Sequence, residues 1–244
     1  MRLIKTLLLS LGLCAAPLFA AETPPPPPAP IVVPTPTPDN LLHLNLSTGG
    51  EVVIQLRPDK APGHIARIKT LTRAGFYDGI LFHRVIEGFM AQTGDPKGTG
   101  EGGSPLPDLK AEFNDLPHLR GSVSMARTDT PDSANSQFFI VFLPTLKLDG
   151  KYTVFGRVLS GMQFVDLIAR GEPPEAPSKI AKAYIEADGP NAPRTALVIP
   201  AAQAATPVTT SPVVAAAPEP VMTAKQKKQA EKAAKKAARQ KSKR

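Results

Sequence analysis

The densest chemical signal in the chain is the run Phe82-His83-Arg84-Val85-Ile86-Glu87-Gly88-Phe89-Met90-Ala91-Gln92-Thr93-Gly94-Asp95. It sets one arginine and one glutamine among large apolar side chains. In extended backbone successive side chains alternate, so Phe82, Arg84 and Ile86 are expected on one face. On the next strand Phe89 and Ala91 lie opposite Met90 and Gln92. A guanidinium among apolar groups needs a partner. These residues leave two readings open: an arginine snorkelling to a rim over ordinary core residues, which the stretch by itself favours, or a cationic donor beside an apolar pocket.

Other constellations carry less. Gly98-Thr99-Gly100-Glu101-Gly102-Gly103 satisfies a bare dinucleotide fingerprint, but Ser104-Pro105-Leu106-Pro107 follows and cannot open the helix that would cradle a pyrophosphate. A flexible glycine loop between strands is the expectation. His43, His64, His83 and His118 have no metal-ligand spacing and no cysteine partner, so neither a metal nor a cofactor is expected. Ser124 and Ser136 lack the pattern that presents a nucleophile on a sharp turn.

The elements that must position these residues show in the apolar periodicity. Leu42 to Leu46 and Val52 to Leu56 flank Thr48-Gly49-Gly50 and read as a hairpin. Further strands are expected over 80–85, 89–93, 121–126, 137–142 and 153–158. One helix is expected over about 62–74, with Ile65, Ile68 and Leu71 on one face and Gly75 as its stop. A second is expected over 162–170, with Val165 and Ile168 inward and Gly171 as its stop. Many short strands with two isolated helices favour a closed β-barrel with helical caps over alternating strand–helix units.

Composition divides the 244 residues into five segments. Residues 1–20 open on Met-Arg-Leu-Ile-Lys and continue through an apolar run too short to span a bilayer, the layout of a secretory leader. Export, to a periplasm, is expected. Cys14, the only cysteine, falls within that leader, which leaves the mature chain without thiols; lipid attachment at Cys14 is the alternative. Residues 21–39, with five consecutive prolines from Pro24 to Pro28, read as a semi-rigid spacer. Residues 40–188 form the one domain, 189–222 an Ala/Pro-rich linker and 223–244 a Lys/Ala tail.

The net charge of +8 belongs to that tail. From Lys225 to Arg244 ten basic residues face one acid, Glu231, so the remainder of the chain sums to about −1. Composition leaves two readings of the tail open: a solvated solubility tail, or a tether to an anionic envelope surface. Nucleic acid is not an expected partner of an exported protein.

Three blocks together resemble a known family. Phe82-His83-Arg84-Val85-Ile86-x-Gly88-Phe89-Met90-x-Gln92 comes first, then Ser124-Met125-Ala126 leading to Asn135-Ser136-Gln137-Phe138-Phe139-Ile140. Leu148-Asp149-Gly150-Lys151 with Val154-Phe155-Gly156 comes last. In order and spacing they are similar to the signature blocks of cyclophilins, and the resemblance covers 40–188. It implies an all-β fold, an eight-stranded antiparallel closed β-barrel with two helices, and peptidyl-prolyl cis/trans isomerisation of proline-containing polypeptides without cofactor; the oligomeric state is left open, with a monomer favoured. A holding chaperone that grips proline segments without turnover is the competing function.

By resemblance, Arg84 matches the catalytic arginine and Gln92 the glutamine that orients it. Phe89, Met90, Phe139 and Leu148 match the walls of the proline pocket, and Ala126, Arg127 and Gln137 the peptide groove. Phe82, His83 and Tyr152 complete the expected substrate-binding set. The chain departs from the family in two side chains: Lys147 stands where many members have tryptophan, and Tyr152 where many have histidine. The loop between Met125 and Asn135 is one residue longer than in the animal proteins, which bears on the alignment of Arg127 and Thr128.

Overall fold

The structure, a computed structural model, describes residues 34–199. The expected leader, most of the proline-rich spacer and the basic tail lie outside the described residues.

Strand β1 (Leu41–Leu46) and β2 (Gly50–Leu56) form the hairpin that the alternation predicts, with Leu42 opposite Ile54 and Leu44 opposite Val52. All four are fully buried, each contributing ~1.5–3 kcal/mol relative to exposure. Helix α1 (Pro62–Arg73) buries Ile65, Ile68 and Leu71. Its end is decided locally: Gly75 adopts φ +73°, its N–H reaches Thr72 O at 2.9 Å, and the Phe76 N–H reaches Leu71 O at 2.9 Å. That pair of bonds satisfies carbonyls that the last turn would otherwise leave open, in a conformation glycine adopts without steric cost.

The remaining strands are β3 (Arg84–Ile86), β4 (Met90–Thr93), β5 (Ser122–Met125), β6 (Phe138–Val141), β7 (Val154–Ser160) and β8 (Ile180–Ile185). They join one eight-stranded antiparallel sheet in the order β3-β4-β6-β5-β7-β2-β1-β8. The expectation was a closed barrel. No continuous ladder joins the edge strands β3 and β8; the segments beside them meet through the isolated bridges Leu81–Lys179 and Val85–Gly171 and through backbone bonds such as Phe82 N–H to Ser178 O and Ile180 N–H to Ile80 O.

Three features differ from the sequence expectation. Strand β8 carries the short, weakly strand-forming Ala181-Lys182-Ala183 and is held by pairing along β1, a tertiary cause that local pattern does not contain. Helix α2 is Met162–Asp166 and stops before 170. There the chain turns away because the Ala169 N–H bonds Ser178 Oγ at 3.1 Å and Gly171 pairs with Val85. The packed body also reaches past 40–188 at both ends. Gln55 donates to Pro34 O at 2.8 Å, the Thr195 N–H bonds Arg73 O at 3.0 Å, and Arg194 bonds Asp78 and the Thr72 carbonyl.

Candidate active site

Strands β4, β5 and β6 are buried on both faces, and strict alternation sorts their side chains between two apolar clusters. Ala91, Val123, Phe138 and Ile140 face the main core. Phe89, Met90, Ala126, Phe139, Val141, Leu148 and Tyr152 form a second cluster, with Ile86 packed against it. Six of the residues expected to bind substrate therefore meet in one place. Leu148 reaches it from a single 3-10 turn, Leu146–Leu148, which leaves Lys147 exposed beside it.

Cross-strand register places the polar residues at the edge of this cluster. Arg84 on β3 stands opposite Gln92 on β4, and Gln92 stands opposite Phe139 on β6. The next row is Ile86, Met90 and Val141. Directly opposed side chains lie about 4.5–5.5 Å apart at Cβ, so a one-residue slip would send arginine and glutamine to the other face.

A chain of hydrogen bonds runs back from Arg84. Arg84 Nη1 donates to Gln92 Oε1 at 3.5 Å, and Gln92 Nε2 donates to Gln137 Oε1 at 2.9 Å. Gln137 Nε2 then donates to the carbonyls of Gly102 at 2.7 Å and Gly100 at 3.0 Å. The polarity is forced from both ends, because guanidinium only donates and carbonyls only accept. Gln137, expected to line the groove, is buried behind it and supports Gln92.

The glycine loop is fastened rather than flexible. Asp95 Oδ2 accepts the N–H groups of Thr99 and Gly100 at 2.9 and 2.7 Å, and Oδ1 accepts that of Lys97 at 2.8 Å. Burial alone would raise the Asp95 carboxyl, but these backbone donors hold it below the usual carboxylate range. A Cβ at Gly102 would lie 2.0 Å from Asp95 Oδ1, so this close approach requires glycine.

The other expected site residues fall on both sides of the line. Arg127 lies over the Tyr152 ring, its Cζ 4.6 Å from the centroid, and donates to the Lys151 and Thr128 carbonyls. Phe82 packs in the main core, not in the second cluster. It precedes the short β3, and its N–H bonds Ser178 O at 2.8 Å, so the strand alternation does not extend back to it. His83 is buried against the glycine loop, and neither ring nitrogen has a hydrogen-bond partner among the described residues.

Beneath the second cluster is a support that the residue inventory did not reveal. His118 is fully buried, stacked on Phe139 at 6.2 Å and edge-on to Tyr152 at 6.5 Å. Its Nδ1 is 2.8 Å from Asp149 Oδ1 and its Nε2 3.1 Å from Ser124 Oγ. Ser124 is itself fully buried, so this Ser-His-Asp line braces the aromatic floor and presents no nucleophile to solvent. Among the described residues, no three His, Cys, Asp or Glu side chains gather as they would to hold a metal.

The family model described as cyclophilin type peptidyl-prolyl cis-trans isomerase matches residues 42–185. A Brucella suis protein named "Probable peptidyl-prolyl cis-trans isomerase" is 51% identical over 166 residues, covering 62% of this chain and 84% of the relative. Peptidyl-prolyl cis-trans isomerase B of Bacillus subtilis is 44% identical over 129 residues, covering 52% of this chain and 89% of its own. A cyclophilin crystal structure from Hirschia baltica superposes with a TM-score of 0.58 at 32% identity, covering 63% of this chain and 76% of that one. With the family model spanning more than half of the chain, the protein belongs to the cyclophilin-type peptidyl-prolyl cis-trans isomerases.

Proposed function

We propose that Arg84 is the catalytic residue of this isomerase, that Gln92 orients it, and that Phe89, Met90, Phe139 and Leu148 hold the substrate proline. The observation that carries this reading is the register: Arg84 and Gln92 are cross-strand partners in the row that continues into Phe139 of the apolar cluster. Rotation about an X-Pro amide is slow because nitrogen lone-pair resonance gives the C–N bond double-bond character, with a barrier of ~18–20 kcal/mol. In the twisted state the resonance is lost and the nitrogen becomes a better acceptor. A guanidinium beside it then donates a hydrogen bond that the planar ground state accepts poorly, which is differential binding of the transition state.

The magnitudes assign the work to more than one group. A charge-assisted hydrogen bond contributes roughly 1.5–3 kcal/mol, while an acceleration of about 10⁵ requires ~7 kcal/mol. The apolar cluster supplies the rest by immobilising the proline ring and lowering the dielectric around Arg84. Isomerase assays on an X-Pro peptide test this: Arg84→Ala lowers kcat/KM at least about tenfold with the fold intact. Equal rates in both proteins favour a holding chaperone.

Its clients, in this reading, are exported polypeptides, because residues 1–20 have the layout of a secretory leader. Recovery of the chain in the cytoplasm with Met1 intact overturns that. The cluster of basic residues after Lys225 supports docking to an anionic envelope surface. Sedimentation with anionic vesicles that is equal for the whole chain and a chain ending at Val221, or that survives high salt, rules the tether out.

A further inference from the structure

Arg84 has a second partner that lies 88 positions away in sequence. Its Nε is 2.7 Å from Glu172 Oε2, a charge-assisted contact, whereas its Nη1 contact with Gln92 is 3.5 Å, at the long limit for a hydrogen bond. We propose that Glu172 is a positioning residue for the Arg84 guanidinium, holding its Nε edge more closely than Gln92 holds Nη1. The inference rests on the catalytic reading of Arg84.

The backbone delivers Glu172 to this place deliberately. Its neighbour Gly171 exchanges both backbone hydrogen bonds with Val85, at 2.8 and 2.9 Å, and Val85 is the residue next to Arg84. Glu172 and Arg84 are thus tied through one bridge. Gly171 has φ +146°, and a Cβ there would lie 2.5 Å from Cα of the buried Pro174 and 2.8 Å from Pro173 O, so the turn that presents the carboxylate is closed to other residues.

Geometry gives the pair a role in orientation. A guanidinium is planar and sits on a long, rotatable stem, so one contact leaves the plane free to swing while two contacts at different edges fix it. Nε and Nη1 are those two edges. Glu172 is 51% exposed while Arg84 is 16% exposed at the side chain, so the carboxylate fills no part of the core. Its removal therefore leaves the fold in place and takes away the contact that fixes the Nε edge of the guanidinium.

The test uses the full-length protein and an X-Pro peptide whose exchange is followed by NMR. For Glu172→Ala the expected result is a kcat lowered roughly fivefold with KM and the unfolding midpoint unchanged, the upper end for a half-exposed ion pair. Glu172→Gln, which keeps an acceptor oxygen without the charge, recovers part of the loss. The Arg84 Nε–Hε cross-peak, identified by its disappearance in Arg84→Ala, shifts in both variants. An unchanged kcat, a raised kcat/KM as expected if Glu172 competed with substrate, or an unmoved cross-peak overturns the proposal. Full activity in Glu172→Ala beside an inactive Arg84→Ala overturns this inference alone, whereas an active Arg84→Ala overturns the reading beneath it.

Discussion

Gln92 donates to Gln137 Oε1 at 2.9 Å, and that one bond decides which end of the Gln92 carboxamide faces Arg84. With its NH₂ group committed behind, Gln92 offers its oxygen forward to a group that can only donate. The orientation of the Arg84 partner is thus inherited from two glycine carbonyls on a loop held by Asp95.

Breaking that relay from behind is expected to reach the site. Gln137→Leu takes the Oε1 acceptor from the buried Gln92 amide and the Nε2 donor from the Gly100 and Gly102 carbonyls, at about 1–3 kcal/mol for each group that finds no other partner. It also frees the Gln92 amide to turn its NH₂ group toward Arg84, where donor meets donor. Lower denaturant midpoint and lower kcat are the expected pair of results. Gln137→Glu, an acceptor facing two acceptors, is expected to be worse than leucine at neutral pH. A stable, fully active Gln137→Leu protein contradicts the relay.

Ala61 stands at the N-cap of helix α1 with only a methyl group, and the cap comes instead from Glu112. Its two oxygens accept the Gly63 N–H at 2.9 Å and the His64 N–H at 3.0 Å, and Oε2 is also 2.5 Å from His64 Nδ1. Glu112→Ala is expected to cost about 1–2 kcal/mol in chemical unfolding, with faster amide exchange in the first turn of α1. Glu112→Gln is expected to lose less. An alanine variant as stable as the parent shows that the first turn finds its partners elsewhere.

Acid is expected to destabilise the fold in two stages. Burial, the dominant cause in each case, lowers the folded-state pKa of His64, His83 and His118 below the ordinary histidine value of about 6.5. Below that pH the unfolded chain binds protons that the folded chain refuses, so stability falls as pH drops through about 6.5. The second stage is the carboxylates. Burial alone would raise Glu112, but His64 and the α1 amides hold it low, and Asp95 is likewise held low. Their contribution is present above the unfolded value of about 4 and disappears as pH falls through the folded one. Denaturant midpoints at pH 7.5, 5.5 and about 3 should step downward. A flat midpoint between pH 7.5 and 5.5 contradicts the histidine stage.

Local order in the residues determined a good deal of this protein. Whereas the gathering of Met90, Ala126, Phe139 and Leu148 was implied only by the family resemblance, the alternation in β1 and β2, the one-sided apolar face of α1 and its glycine stop are properties of neighbouring residues. A reader of the sequence can weigh them without knowing where the chain goes next. Three motif blocks in register also carried the family. What the sequence did not contain were relations across long stretches of chain. Glu172 meets Arg84, Glu112 caps α1, His118 meets Asp149, β8 exists through β1, and Phe82 turns to the core because its backbone pairs outside the ladder. Each of these depends on which strand lies beside which and in what register, and periodicity within one segment is the same whichever neighbour the sheet supplies.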